Sequence, residues 1–161
     1  MQDIVGTELL TAQGMKPLAE ALPATVKCVG FYFGAHWAPC CRRFQDTLRT
    51  KYGEINANSK EFEVIFVSKD GNQNHFDMNF ANHPWLAIKY DDEARKKSLE
   101  QKFGIMEIPK LIVCDPQGKQ ISENGVADLN THQSDAIVEA WEKMASNAEA
   151  EAANAGAAAQ Q

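Results

Sequence analysis

Two stretches of the chain, Val26–Phe33 and Phe62–Ser68, are almost continuously apolar and rich in β-branched and aromatic residues. Each is too short for a buried helix. An unbroken apolar run of about 4–8 residues marks a strand covered on both faces. Leu111–Asp115 reads as a third strand, Pro116–Gln117–Gly118–Lys119 as a tight turn, and Gln120–Val126 as its antiparallel return. Glu8, Leu9 and Leu10 suggest a short early strand, and Pro17–Leu22 a short helix. Between the buried strands the period changes. From Cys40, the residues Phe44, Leu48, Tyr52 and Ile55 recur at steps of four, four and three, one face of an amphipathic helix. Asp70–Asn74 is polar and loop-like, and residues 75–82 read as a short helix ended by Pro84. Asp91–Phe103 reads as a helix with Asp91 as N-cap and Gly104 as its stop. Ser134–Met144 closes the pattern with Ile137, Trp141 and Met144 on one face. Strands first separated by helices and then joined by a hairpin predict an α/β fold. Its central mixed β-sheet has roughly four or five strands, flanked by about four helices on both faces.

Residues 1–144 carry this pattern as one domain, and residues 145–161 form an Ala-rich, low-complexity tail. Alanine is the best helix former, so the tail is expected to extend the last helix, although with almost nothing to bury it frays on its own. A length of 161 residues suits one domain with a real core. The net charge of -6 and a pI near 5.2 argue against nucleic acid, which needs a basic face to release counterions from phosphates. The run Arg95–Lys96–Lys97 reads as solvated helix surface. No apolar run approaches the roughly 20 residues of a membrane span, and the start Met1–Gly6 has no signal pattern. Four cysteines are too few for a disulfide scaffold, so the reading is a cytoplasmic protein with free thiols.

The stretch Phe31–Phe44, FYFGAHWAPCCRRF, is a buried strand, a Trp-bearing loop and a helix opening on cysteines. Downstream stand Pro84–Trp85–Leu86–Ala87 and Phe103-Gly104-Ile105-Met106-Glu107-Ile108-Pro109-Lys110-Leu111. Together, in order and over residues 6–126, these resemble the thioredoxin superfamily and within it the tryparedoxin and nucleoredoxin branch. The matching patterns are the W-C-x-x-C redox pair followed by C-R-x-F, the P-W-L-A segment, and F-x-[IV]-x-x-I-P-x-L. The resemblance implies a thioredoxin fold, with Pro109 as a cis proline beside the site and Ile108 offering its backbone to a bound peptide thiol. From local sequence alone, Pro109 would simply start a strand.

The departures lie in the motif itself. Ala38 stands where the resemblance places the attacking cysteine, Cys41 where it places the resolving one, and Cys40 where proline or glycine is usual. Gln45–Asp46 replaces the Thr-Pro that often follows. Dithiol exchange needs an ionised attacking sulfur and a second sulfur in register, three residues on. Cys40 and Cys41 do not supply that register. Adjacent Cα atoms lie about 3.8 Å apart, whereas an unstrained disulfide spans roughly 4.4–6.8 Å. A monothiol role asks less: Cys40, if exposed, could form a mixed disulfide, with Arg42 and Arg43 favouring its thiolate. Cys41 is expected deeper and less reactive, and Cys28 and Cys114 are expected as core.

No metal and no cofactor are expected. His36, Cys40 and Cys41 lack a fourth ligand and the usual cysteine spacing, and His75, His83 and His132 are scattered. A peroxidatic site, a Ser-His-Asp arrangement, a P-loop and a dinucleotide fingerprint are also absent. Three readings of function follow. The first is a redox-silenced structural or adaptor subunit bound to protein partners in a larger assembly, a cytoskeletal or ciliary one included. The second is a thiol-disulfide oxidoreductase of monothiol type using Cys40, with Cys41 as the residual second thiol. The third is a peptide-binding module whose groove is lined by Trp37, Ala38, Pro39, Trp85, Ile108 and Pro109.

Overall fold

The computed structural model describes residues 1–159. A short helix α1 (Gln2–Val5) leads into a hairpin of β1 (Glu8–Thr11) and β2 (Gly14–Pro17), then α2 (Leu18–Ala21). The central strand β3 (Cys28–Gly34) runs into α3 (Pro39–Ile55), β4 (Phe62–Ser68), α4 (Gln73–Phe80) and the short β5 (Leu86–Ala87). Next come α5 (Glu93–Phe103), β6 (Lys110–Cys114), β7 (Gln120–Ser122), α6 (Gly125–Thr131) and α7 (Ile137–Ala159). The strands form one mixed sheet in the order β2-β1-β5-β4-β3-β6-β7. β3 pairs parallel with β4 and antiparallel with β6. This is the thioredoxin fold.

Every residue of β3 and β4 is buried, which is why both read as almost continuously apolar. Alternation along the strands still sorts the side chains into two cores. Tyr32, Phe66 and Val113 face α3 and α7, where Leu48 and Trp141 are fully buried. Phe31, Phe33, Ile65 and Ile112 face the other way, against Val5 of α1 and Leu99 of α5. Helices therefore cover both faces, each apolar side chain contributing about 1.5–3 kcal/mol of burial.

The sheet is wider than the roughly four or five strands expected, because β2 and β5 are short and exist through pairing: β5 bonds β4 at Ile65–Leu86 and β1 at Leu10–Ala87. Seven helices stand among the described residues where about four were expected. The return strand expected over Gln120–Val126 stops at Ser122. There Asn124 N donates to Ser122 Oγ at 3.1 Å, and Ser122 Oγ donates to Asp128 Oδ2 at 2.6 Å, turning the chain into α6. The N-cap of α5 is Asp92, not Asp91: its carboxylate accepts from Arg95 N at 3.1 Å. Gly104 does close that helix, in the left-handed region at φ 61, where a side chain would be strained. α4 opens within the stretch expected as loop, with Asn72 as cap accepting from His75 N at 2.8 Å. α7 passes through Met144 and Ala145 without a break as far as Ala159; the last two residues of the expected tail lie outside the described residues. No helix among the described residues is long and apolar enough to cross a membrane.

One buried group couples the fold to pH. His83 is 5% exposed, and burial first, with the positive charge of Arg49 second, pushes its imidazole from the ordinary 6.5 down to about 3. The unfolded chain thus takes up a proton that the folded one refuses, and stability present above pH 6.5 drains away as pH falls toward 3. Thermal melts from about pH 7 to pH 4 should show the wild type losing up to about 1.4 kcal/mol per pH unit relative to His83→Phe. Parallel curves across the whole range would remove His83 from the account.

Candidate functional site at the start of helix α3

β3 delivers the chain to one end of the sheet, and β6 enters from that same end. Register sets the meeting point: Phe33 pairs with Lys110, so Ile108 and Pro109 lie just beyond, opposite Gly34 and Ala35. The Ile108–Pro109 peptide bond is cis, as the resemblance implies. α3 begins with Ala38 as N-cap and Pro39 as the first helical residue, where proline's fixed φ and missing N–H fit. Ala38 and Cys41 are thus one helical turn apart, and the Ala38 carbonyl accepts from Cys41 N at 3.1 Å. Ala38 offers no side-chain cap.

The three positions differ in exposure. Ala38 is 4% exposed, Cys40 faces solvent, and Cys41 is fully buried. Burial is the first cause that raises the Cys41 thiol above its ordinary value. Cys40 Sγ lies 3.8 Å from the Ile108 carbonyl, to which its thiol donates a long hydrogen bond. Burial likewise pushes Cys28 and Cys114 up to about 12, so both are inert core thiols.

The loop before the helix is tied down on three sides. His36 N donates to Asp70 Oδ1 at 2.7 Å, Trp37 Nε1 to the Lys69 carbonyl at 3.3 Å, and Arg42 Nη1 to the His36 carbonyl at 2.7 Å. Arg42 therefore clamps the loop rather than standing free beside Cys40; Arg43 is exposed. Trp37 is held by its nitrogen while 61% of it faces solvent, and Met106, on the loop leading to Ile108, is 94% exposed. Pro39 is exposed as well, and Ile108 and Pro109 are half-buried. Cys40 thus meets Ile108, with Trp37 and Pro39 exposed on the same loop and Pro109 half-buried beside Ile108. Trp85, expected to line the groove with them, does not: it is 2% exposed, its ring 5.7 Å from Tyr52 and 4.7 Å from His83. It sits on the sheet face that α3 covers.

Sequence reasoning missed a buried polar chain behind the motif. Tyr32 Oη donates to the Cys41 carbonyl at 3.5 Å and accepts from Gln45 Nε2 at 3.0 Å. Gln45 Nε2 also donates to Asn79 Oδ1 at 2.9 Å, and Asn79 Nδ2 to Asp70 Oδ2 at 3.4 Å. Ser68 Oγ donates to the same Asp70 oxygen at 2.6 Å. A Cβ on Gly34 would overlap the Tyr32 hydroxyl, so only glycine leaves room for the ring to lie over the helix start. The signal in the sequence was Gln45, a polar residue on the apolar side of α3 next to Phe44. Among the described residues no three His, Cys, Asp or Glu side chains converge as metal ligands would.

A Thioredoxin-like family model matches residues 26–120. Nucleoredoxin of Bos taurus is 40% identical over 128 residues, covering 80% of this chain and 29% of the relative. The chain thus spans about three-tenths of the length of the curated relatives it first matches. Among solved structures, tryparedoxin from Trypanosoma brucei superimposes with a TM-score of 0.69 at 31% identity, covering 78% of this chain and 85% of that one. Native tryparedoxin I from Crithidia fasciculata gives 0.70 at 32% identity, covering 77% and 84%.

Proposed function

The chain belongs to the thioredoxin-like family, in its tryparedoxin and nucleoredoxin branch, and from that premise we propose that it is a redox-silenced member which holds protein partners without breaking bonds. One observation carries the reading: the position one helical turn before Cys41, where an attacking sulfur would be in register, is the methyl group of Ala38. Cys41 is buried with a raised pKa, so it is a poor nucleophile by itself. The surface around Cys40 nevertheless keeps an exposed aromatic, Trp37, and an Ile108 carbonyl that takes a long hydrogen bond from the Cys40 thiol. Those are the features an extended peptide uses. The role we assign is a structural or adaptor subunit of a larger cytoplasmic assembly, a cytoskeletal or ciliary one included.

A second reading rests on Cys40, which is exposed and directed at the Ile108 carbonyl. Its thiolate would attack a disulfide sulfur, forming one S–S bond and releasing one partner thiolate. The mixed disulfide would last until another thiol displaced Cys40, because Cys41 is out of register.

The two readings separate in a paired experiment. The purified protein should reduce insulin disulfides no faster than buffer. A complex isolated from the native cell should survive Cys40→Ser and be lost with Trp37→Ala. A reduction rate above background that vanishes in Cys40→Ser would replace the first reading by the second.

A further inference from the structure

The described residues contain three buried side-chain nitrogens with no hydrogen-bond partner: Nδ1 and Nε2 of His83 and Nε1 of Trp85. All three belong to one stacked pair of rings, 4.7 Å between centroids and 34° between planes. Buried polar groups are satisfied in more than about nine cases in ten, so three orphans on two touching rings need an explanation. His83 also lines a cavity of about 500 Å³ between the β1–β2 hairpin and α4. That volume lies within the roughly 300–1,000 Å³ range of small-molecule sites. None of the residues around Cys40 takes part in it. Its apolar walls include Leu10, Phe76, Phe80 and Ala81, Thr11 and Gln73 add neutral polar groups, and it carries one charge of each sign, Asp77 and Lys89.

From this juxtaposition we infer that the cavity is a binding site for a small, neutral, hydroxyl-bearing aromatic molecule, anchored by the His83 imidazole. The apolar walls suit a flat apolar ring, and the balanced pair of charges selects no net charge. The imidazole is neutral at ordinary pH, held so by its apolar surroundings. A neutral imidazole offers one N–H donor and one nitrogen acceptor. A hydroxyl is the smallest group that can bond either one, accepting from the N–H or donating to the bare nitrogen. His83 lines the cavity, and both of its ring nitrogens are hidden from solvent. A half-turn about χ2 exchanges nitrogen for carbon in nearly the same volume and brings a nitrogen to the ligand. Trp85, stacked on the same imidazole, also reports on the site by its fluorescence.

The test uses the whole chain with p-cresol as probe and toluene, its analogue without the hydroxyl, as control. Titrations are followed by the ¹⁵N shifts of His83 and by tryptophan emission. p-Cresol should bind at least tenfold more tightly than toluene and move a His83 nitrogen resonance. In His83→Phe, which keeps the ring volume without the nitrogens, the ratio should fall to about one while toluene still binds. Ala81→Trp, at an exposed position on the cavity wall, should exclude both molecules. Equal affinity for the two probes in the wild type, a preference that survives His83→Phe, or no binding of either probe would each overturn the assignment.

Discussion

Replacing Ala38 by cysteine should give the chain a strong disulfide-reductase activity. The new sulfur would stand at the N-cap of α3, where the partial positive charge of the helix end favours a thiolate and lowers a thiol pKa to roughly 3.5–7.5. Cys41 lies one turn along, the spacing that a disulfide accepts without distortion. Its burial then becomes an advantage: a thiol held neutral until the mixed disulfide forms does not compete as the first attacker. A resolving sulfur held in place adds an effective concentration that free thiols lack, so insulin reduction should rise about 100-fold or more over the parent. The double variant Ala38→Cys with Cys41→Ser should stall as a trapped mixed disulfide. A folded Ala38→Cys protein with both thiols free and no activity would show that position 38 is not the attacking position. The argument from the missing sulfur would fail with it.

Asp70→Ala should be the most damaging single change near the site. The carboxylate is 7% exposed and accepts from His36 N at 2.7 Å, Ser68 Oγ at 2.6 Å and Asn79 Nδ2 at 3.4 Å. Hydrogen bonds to a charged partner are worth about 1.5–3 kcal/mol each, and donors left buried without one add their own desolvation cost. Allowing for relaxation, the loss should be about 3–4 kcal/mol, a fall of roughly 10 °C in Tm for a chain of this size. The same change releases His36, so Trp37 should lose fluorescence anisotropy. Ser68→Ala, which removes one donor and leaves the carboxylate, should cost about 1 kcal/mol and spare the loop. If Asp70→Ala melted within a degree of the wild type with Trp37 still rigid, the polar chain behind the motif would be a minor feature.

What could be seen from the sequence, and what could not, follows from how local each cause is. β3, β4 and α3 were legible because burial on both faces, or on one face at helical period, writes itself into consecutive residues. Cys40, Cys41 and Ala38 were legible as a motif through the resemblance, which a short contiguous stretch carries. β5 has two residues and exists only because Ile65 and Leu10 bond it from either side, so its cause lies in other segments. The first two residues of α6, Gly125 and Val126, read as strand because Gln120, Ile121 and Ser122 begin one; the turn depends on Asp128, six residues after Ser122. Gln45 and Asn79 are 34 residues apart, and nothing local announces that they bond. Trp85 was misplaced because an aromatic beside a proline looks the same from the sequence whether it faces water or α3. Its inward direction comes from the alternation of the strand it leads into. The Ile108–Pro109 geometry came from the resemblance, since local residues favoured an ordinary strand start.

The burial of three of the four cysteine thiols means the molecule presents one outer thiol and keeps three inside. Toward bulky electrophiles the native chain behaves as if Cys40 were its single cysteine, and the other three answer only when the fold opens. A dye or spin label attached there would sit beside the indole of Trp37. One attachment point then reports arrival of a partner at that surface, and the total count of reactive thiols reports unfolding.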